Sequence, residues 1–96
     1  MSSQAFKTED YLNTPEDIAA YLDAALEDGD ERVLLQALRQ VAGLKGGMSE
    51  LAKRSQLNRE SLYRALSENG NPRLDTLTAV LKSYGLRLSV ASMGSH

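Results

Sequence analysis

The sequence contains no cysteine, and its one histidine is His96. Disulfide bonds, thiolate metal sites and cysteine nucleophiles are therefore excluded. No apolar run approaches the ~18 residues that a membrane-spanning helix needs. The stretch MSSQAFKTEDYL has neither the basic start nor the apolar segment of a signal peptide. These absences predict a cytoplasmic protein that does not associate with membranes.

The sequence also lacks the residue patterns of common active sites. No glycine-rich loop follows a strand, which is where such loops bind phosphate groups. Glu16 and Asp17 are adjacent in a predicted helix, so their carboxylates point to different faces rather than forming a catalytic pair. No set of metal ligands converges. We therefore predict that the protein is not an enzyme and has no metal or cofactor.

Acidic and basic residues are divided unevenly along the chain. Residues 1–31 carry nine acidic and one basic side chain, a net charge of −8, whereas residues 32–96 carry ten basic and four acidic ones, or +6. This division is typical of a protein with two different partners. It is equally typical of a solvated acidic helix packed beside a mildly basic domain, and charge alone does not separate these interpretations.

Hydrophobic periodicity predicts a single helical domain over residues 14–90. It lies between an N-terminal arm (1–13), extended or disordered, and a loose tail (91–96). Thr14 is expected to cap the first helix, which places Ile18, Tyr21, Leu22, Ala25 and Leu26 on one apolar face and stops at Gly29. Four further helices are predicted at about 31–44, 49–55, 59–68 and 74–84. Asp30 can cap the first of these four, and Leu74 is expected to face inward in the last.

The stretch LRLSV, residues 86–90, alternates apolar and polar side chains and predicts a short strand. The chain offers this strand no internal partner. It is therefore expected to pair with the same strand of a second copy, which assigns Leu86, Leu88 and Val90 to a homodimer contact.

The stretch SELAKRSQLNRESLYRALSENGNPR, residues 49–73, predicts two short helices with a tight break between them, a helix-turn-helix. Ala52 is small enough to allow close helix packing, and Leu62 and Leu66 are spaced to anchor the second helix inward. Gln56 occupies the turn position that usually carries glycine. A positive φ is expected there, so Gln56 implies either some strain or a different turn.

The outer face of the second helix suits DNA. Arg59 and Arg64 present paired donors that match guanine O6 and N7. Glu60 either accepts from cytosine N4 or orients Arg64, and Tyr63 either contacts DNA or packs against the next helix. Phosphate contacts are expected near Ser49 and in the loop after the second helix. The predicted DNA-binding residues are Ser49, Asn58, Arg59, Glu60, Ser61, Tyr63, Arg64, Ser67, Asn71 and Arg73, of which Arg73 is alternatively a solvated loop charge.

The stretch GGMSELAKRSQLNRESLYRALSENGNPRLDTLTAVLKSYGLRLSV resembles the Xre/Cro-like helix-turn-helix proteins. With TPEDIAAYLDAALEDGD and the block RESLYRALSENGNPR, the chain is more closely similar to the probable addiction-module antidote proteins, antitoxins of the host-inhibition-of-growth type. The resemblance covers about residues 6–90. It implies an all-α fold of five helices, in which a Xre/Cro-like domain carries an added N-terminal acidic helix and a short C-terminal strand.

The resemblance also implies a function. Such proteins neutralise a small basic toxin of the RelE/ParE-like fold by direct binding, in a type II toxin–antitoxin module, and repress their own operon as DNA-binding dimers. A basic toxin would be attracted to the acidic helix, so the expected toxin-binding residues are Glu16, Asp17, Asp23, Glu27 and Asp28. The alternatives are a stand-alone Xre-type repressor without a toxin and a helical adaptor that binds only protein.

Overall fold

A computed structural model of the chain describes residues 12–94. These residues form five helices and no strand; the helices are α1 (Pro15–Glu27), α2 (Glu31–Leu44), α3 (Gly47–Ser55), α4 (Arg59–Ala65) and α5 (Leu74–Ser83). The all-α, five-helix prediction is confirmed for this part of the chain. None of the five described helices is long and apolar enough to cross a membrane. Residues 1–11 of the predicted arm and 95–96 of the predicted tail lie outside the described residues, so the division into arm, domain and tail stays a prediction.

Side-chain caps determine where α1 and α2 begin. The Thr14 hydroxyl accepts from the Asp17 backbone N–H at 3.1 Å, and the Asp17 carboxylate accepts from the Thr14 N–H at 3.4 Å, which makes a capping box. At α2, Asp30 Oδ1 accepts from the Arg32 backbone N–H at 2.9 Å. The Arg32 guanidinium also donates to Asp30, with Nη2 and Oδ2 3.0 Å apart, and this bond lowers the pKa of the Asp30 carboxyl. The caps predicted at Thr14 and Asp30 are confirmed.

The helices pack around one apolar core. α1 packs against α2, α2 against α3, and α3 against both α4 and α5. The largest of the fully buried side chains are Leu12, Leu38, Val41, Leu51, Leu62, Leu66 and Val80. Arg39 on α2 donates through Nη1 to the carbonyl oxygen of Leu66 at 2.5 Å, which joins α2 to the residue that follows α4. The second of the two predicted short helices is therefore anchored by buried leucines and by a side chain from α2.

Two helix boundaries differ from the prediction by more than one residue. α3 begins at Gly47 rather than Ser49, and α4 ends at Ala65 rather than Glu68. α4 is shorter because the chain folds back sharply after its last turn: the Gly70 N–H donates to the Ser67 carbonyl at 2.9 Å. A Cβ at Gly70 would lie 2.1 Å from the Ala65 carbonyl oxygen. Only glycine therefore fits where this loop crosses the end of α4.

Two leucines that were expected to face inward lie largely in solvent. Leu26 is 54% exposed and Leu74 is 69% exposed. Leu26 belongs to the last turn of α1, and Leu74 is the first residue of α5. Periodicity places both on the apolar face of a helix, but their exposure shows that the neighbouring helices do not reach these ends.

The predicted strand at residues 86–90 is not formed. Gly85 adopts a φ of +81°, and the Leu86 N–H donates to the Leu81 carbonyl at 2.8 Å, which turns the chain back at the end of α5. Leu86 packs against the core, whereas Leu88 and Val90 are exposed. A strand requires hydrogen bonds to a neighbouring strand, and residues 12–94 contain no strand with which residues 86–90 could pair. Pairing with a second copy stays a prediction.

Candidate functional site

The break between α3 and α4 is a tight turn of residues 56–58. Gln56 has a φ of +61° and a ψ of +37°, in the left-handed region, and is the one such non-glycine residue among those described. The Leu57 N–H donates to the Ala52 carbonyl at 3.0 Å, and the Asn58 side chain caps α4 by accepting from the Ser61 N–H at 2.9 Å. The positive φ expected at Gln56 is therefore present, and the turn retains the usual geometry of a helix end.

The outer face of α4 carries Arg59, Glu60, Tyr63 and Arg64, all exposed, opposite the buried Leu62. The Arg59 guanidinium carbon lies 5.5 Å from the centroid of the Tyr63 ring, so the two side chains form a cation–π pair one helical turn apart. Tyr63 is 48% exposed, so its side chain is not buried in the core. Two aligned groups, a cation and an aromatic ring, are thus presented to solvent.

Glu60 and Arg64 do not form an ion pair. Within residues 12–94 the ion pairs are Arg32 with Asp30 and Arg73 with Asp75. The Arg64 guanidinium is therefore not oriented by Glu60, and of the two roles predicted for Glu60 the structure gives no support to this one. Arg64 is exposed at the end of α4, with its donors available to a partner.

A polar cleft of about 480 Å³ lies between the end of α4 and the start of α5. Of the predicted DNA-binding residues, this cleft brings together Ser61, Arg64, Ser67, Asn71 and Arg73. Arg73 Nε lies 3.4 Å from Asp75 Oδ1, and both side chains are largely exposed. The cleft is therefore lined by two arginines, three residues with hydroxyl groups and two asparagines, a set suited to phosphate oxygens. Ser49, Asn58, Arg59, Glu60 and Tyr63 are exposed but do not line it.

The acidic side chains of α1 form the second predicted surface. Glu16, Asp23, Glu27 and Asp28 are exposed, whereas Asp17 is half-buried and occupied in the capping box. Residues 15–28 contain these five acidic side chains and no basic one. Four of the five predicted toxin-binding carboxylates are therefore free to meet a partner, and Asp17 has a structural role that the sequence analysis did not assign to its side chain.

Beside these carboxylates lies an apolar recess of about 450 Å³, here named the α1 groove. Its lining includes Leu22, Asp23, Leu26, Leu81, Leu86 and Leu88. The sequence analysis missed it because Leu26 was assigned to the core and Leu88 to a dimer strand. The sequence did contain two signals: Leu26 is an apolar residue in the last turn of a predicted helix, and Leu88 is an apolar residue that follows the last helix.

Tyr84, at the end of α5, is a further buried group that the sequence analysis did not single out. Its side chain is 6% exposed, and its hydroxyl has no hydrogen-bond partner among the residues that the structure describes. Burial raises the pKa of Tyr84 to about 12, although the Arg54 charge acts in the opposite direction. The Arg54 guanidinium carbon lies 5.9 Å from the centroid of the Tyr84 ring, and Arg54 also donates to the Ser83 carbonyl at 3.1 Å. This contact joins the end of α3 to the end of α5.

Comparison with known proteins identifies the family of the chain. The profile of a family described as probable addiction module antidote protein matches residues 2–92. The chain belongs to this family. An uncharacterized protein of Haemophilus influenzae is 34% identical to the chain over 85 residues, which cover 88% of the chain and 87% of that relative. No solved structure gives a significant match.

Membership of the antidote family indicates an antitoxin role and implies a toxin partner. The predicted resemblance to antidote proteins is therefore confirmed. The Xre/Cro-like class, the fold of the toxin, DNA binding and the dimer are finer statements that this match does not decide, and they stay predictions. Across residues 12–94 no three histidine, cysteine, aspartate or glutamate side chains are grouped to hold a metal ion.

Proposed function

We propose that the chain is the antitoxin of a type II toxin–antitoxin module, which masks a RelE/ParE-like toxin by direct binding and represses its own operon as a DNA-binding dimer. The observation that carries the proposal is the antidote-family match over residues 2–92. In this role the protein acts in the cytoplasm by stoichiometric binding and catalyses no reaction.

The division of charge supports two separate binding surfaces. Residues 1–31 carry a net charge of −8 and residues 32–96 carry +6. The exposed carboxylates of α1 suit a basic toxin, since complementary charge speeds encounter and disfavours other partners. The arginines of α4 and of the cleft beside it suit the phosphate backbone and base edges of operator DNA.

In the proposed repressor, α3 and α4 form a Xre/Cro-like helix-turn-helix with α4 as the recognition helix. Arg59 and Arg64 are the base-reading residues, and Asn71 and Arg73 grip the backbone. Two copies would place their recognition helices about 34 Å apart, one turn of DNA. The dimer contact is not placed at Leu86, Leu88 and Val90 in this proposal, because the predicted strand is not formed among residues 12–94 and Leu86 packs against the core.

Co-expression tests the antitoxin role. The product of the neighbouring reading frame is expressed alone and together with this chain, and cell growth is followed. We expect growth arrest by the neighbour alone and rescue by co-expression. Arrest without rescue, or no arrest, would overturn the antitoxin role and favour a stand-alone Xre-type repressor, because the exposed arginines of α4 would serve either protein.

Operator binding is measured separately, on a fragment of the chain's own promoter at several salt concentrations. The logarithm of the affinity should fall linearly with the logarithm of salt concentration, because bound arginines release counterions from DNA. The absence of binding at low salt would instead favour an adaptor that contacts only protein.

A further inference from the structure

The α1 groove is an apolar surface that the described part of the chain leaves uncovered. Leu22 and Leu81 are buried and belong to the core, while Leu26 and Leu88 also line the groove and are 54% and 43% exposed. Large apolar side chains that remain exposed side by side around a recess mark a surface that a partner covers. The groove therefore provides apolar contact area beside the exposed carboxylates of α1.

The charge around the groove decides between a second copy and a different protein. The groove is lined by one acidic and one basic side chain, Asp23 and Arg87, but residues 15–28 beside it carry five acidic side chains without a basic one. A symmetric contact through this face would bring two such helices together, and like charges disfavour that arrangement. A cationic partner is attracted by the same side chains, so charge complementarity points to a protein of opposite charge.

We propose that the α1 groove receives an apolar side chain of the cationic toxin, and that lysine or arginine side chains flanking it in the toxin meet Asp23 and its acidic neighbours on α1. This inference rests on the proposed antitoxin function. The groove fixes the position of the toxin through apolar burial. The carboxylates increase the rate at which the two proteins meet and favour a basic partner over others. Substitution of Leu26 should have the largest effect, since Leu26 is the more exposed of the two exposed leucines that line the groove.

The test compares matched leucine variants. The purified product of the neighbouring reading frame is titrated by calorimetry into the full chain carrying Leu26→Gln, with Leu74→Gln as the control. Both leucines are largely exposed helix residues, but Leu74 does not line the groove. Leu26 is 54% exposed, so a partner that fills the groove could bury about half of its side chain. Loss of this apolar burial should weaken toxin binding about fivefold or more for Leu26→Gln. The control should stay within about twofold, and circular dichroism should show unchanged folding for both.

A second pair of variants tests the role of charge. Asp23→Lys should weaken toxin binding and reduce its salt dependence. Glu68→Lys makes the same change of charge in the loop after α4, outside the groove, and should have the smaller effect. Equal effects of the two would show that only net charge matters and would overturn the groove as the binding site.

The outcomes separate the two proposals. If the wild-type chain does not bind the neighbouring product, the antitoxin function fails and the groove assignment fails with it. If the wild-type chain binds but Leu26→Gln binds equally well, the groove assignment alone is overturned. A photoreactive phenylalanine derivative at position 26 should crosslink to the toxin; a crosslink to a second copy instead would make the groove a self-interface and refute the proposal.

Discussion

Gln56→Gly should stabilise the protein, because the turn between α3 and α4 holds Gln56 at a φ of +61°. A left-handed conformation costs a residue with a Cβ about 1–2 kcal/mol. Glycine removes this cost but loses about 0.5–1 kcal/mol through the greater freedom of the unfolded chain. The Gln56 side chain is exposed and makes no hydrogen bond among the described residues. The net expectation is a gain of about 0.5–1 kcal/mol in the free energy of unfolding.

The end of α5 provides a matched control. Gly85 has a φ of +81°, and the Leu86 N–H bonds to the Leu81 carbonyl just as the Leu57 N–H bonds to the Ala52 carbonyl after Gln56. A Cβ at Gly85 would lie 3.4 Å from Pro15 Cγ, an ordinary contact, so backbone strain dominates the substitution. Gly85→Gln should therefore lose about as much stability as Gln56→Gly gains.

Urea denaturation followed by far-ultraviolet circular dichroism measures both variants. A change of 1 kcal/mol moves the thermal midpoint by roughly 4–8 °C in a domain of this size, so thermal scans provide an independent reading. The reasoning is refuted if Gln56→Gly loses stability, since the glutamine side chain would then contribute more than the strain costs. It is also refuted if both variants shift in the same direction.

Three further predictions concern other parts of the chain. Gly70→Ala should destabilise by about 1–3 kcal/mol in urea denaturation, because its Cβ would meet the Ala65 carbonyl; Gly43→Ala, in α2 with nothing within 4 Å of its Cβ, should be neutral or stabilising. In an ultraviolet titration of the tyrosines, one hydroxyl should ionise only near pH 12, and this step should be absent from the Tyr84→Phe variant. Because this pKa is raised by folding, the stability it contributes should be present below about pH 10 and be lost as pH rises toward 12; a wild-type chain whose tyrosines all ionise near pH 10 would contradict the burial. In gel-shift assays, Arg64→Ala should weaken operator binding and reduce base preference by about 1–3 kcal/mol. Arg32 is also exposed, and Arg32→Ala should have neither effect. Equal losses of affinity in the two variants would mean that other residues read the bases.

Local signals in the sequence predicted the helices well. Thr14 and Asp30 were recognisable as caps because their side chains satisfy backbone N–H groups within three residues, and that chemistry does not depend on the rest of the fold. The positive φ at Gln56 was predictable as one of two alternatives, because the turn position that it occupies usually carries glycine in a helix-turn-helix. The boundary of α4 was not, because it is set by the loop that returns to the Ala65 carbonyl, a contact that the helical period does not encode.

The surfaces were predicted less completely. The exposed arginines of α4 follow from the position of Leu62, since one buried residue fixes the opposite face of a helix. The α1 groove did not follow, because its existence depends on where α1, α5 and residues 86–89 meet in space. Leu26 and Leu88 look like core and strand residues in sequence, and only the packing of the helices leaves them exposed on one recess.

The α1 groove is assembled from residues far apart in the chain: Ala19 to Leu26 form one side, and Leu81 to Ser89 complete it. During synthesis, α1 leaves the ribosome long before the segment that completes the groove, so a nascent chain carries the acidic helix without its apolar recess. In the finished protein, the exposed residues 87–94 offer a protease a cleavage site that lies outside every helix. A cut just before Arg87 would leave all five described helices in place and remove Leu88 from the lining of the groove. The length of time for which the chain can hold a partner through this groove would then depend on the survival of its last few residues.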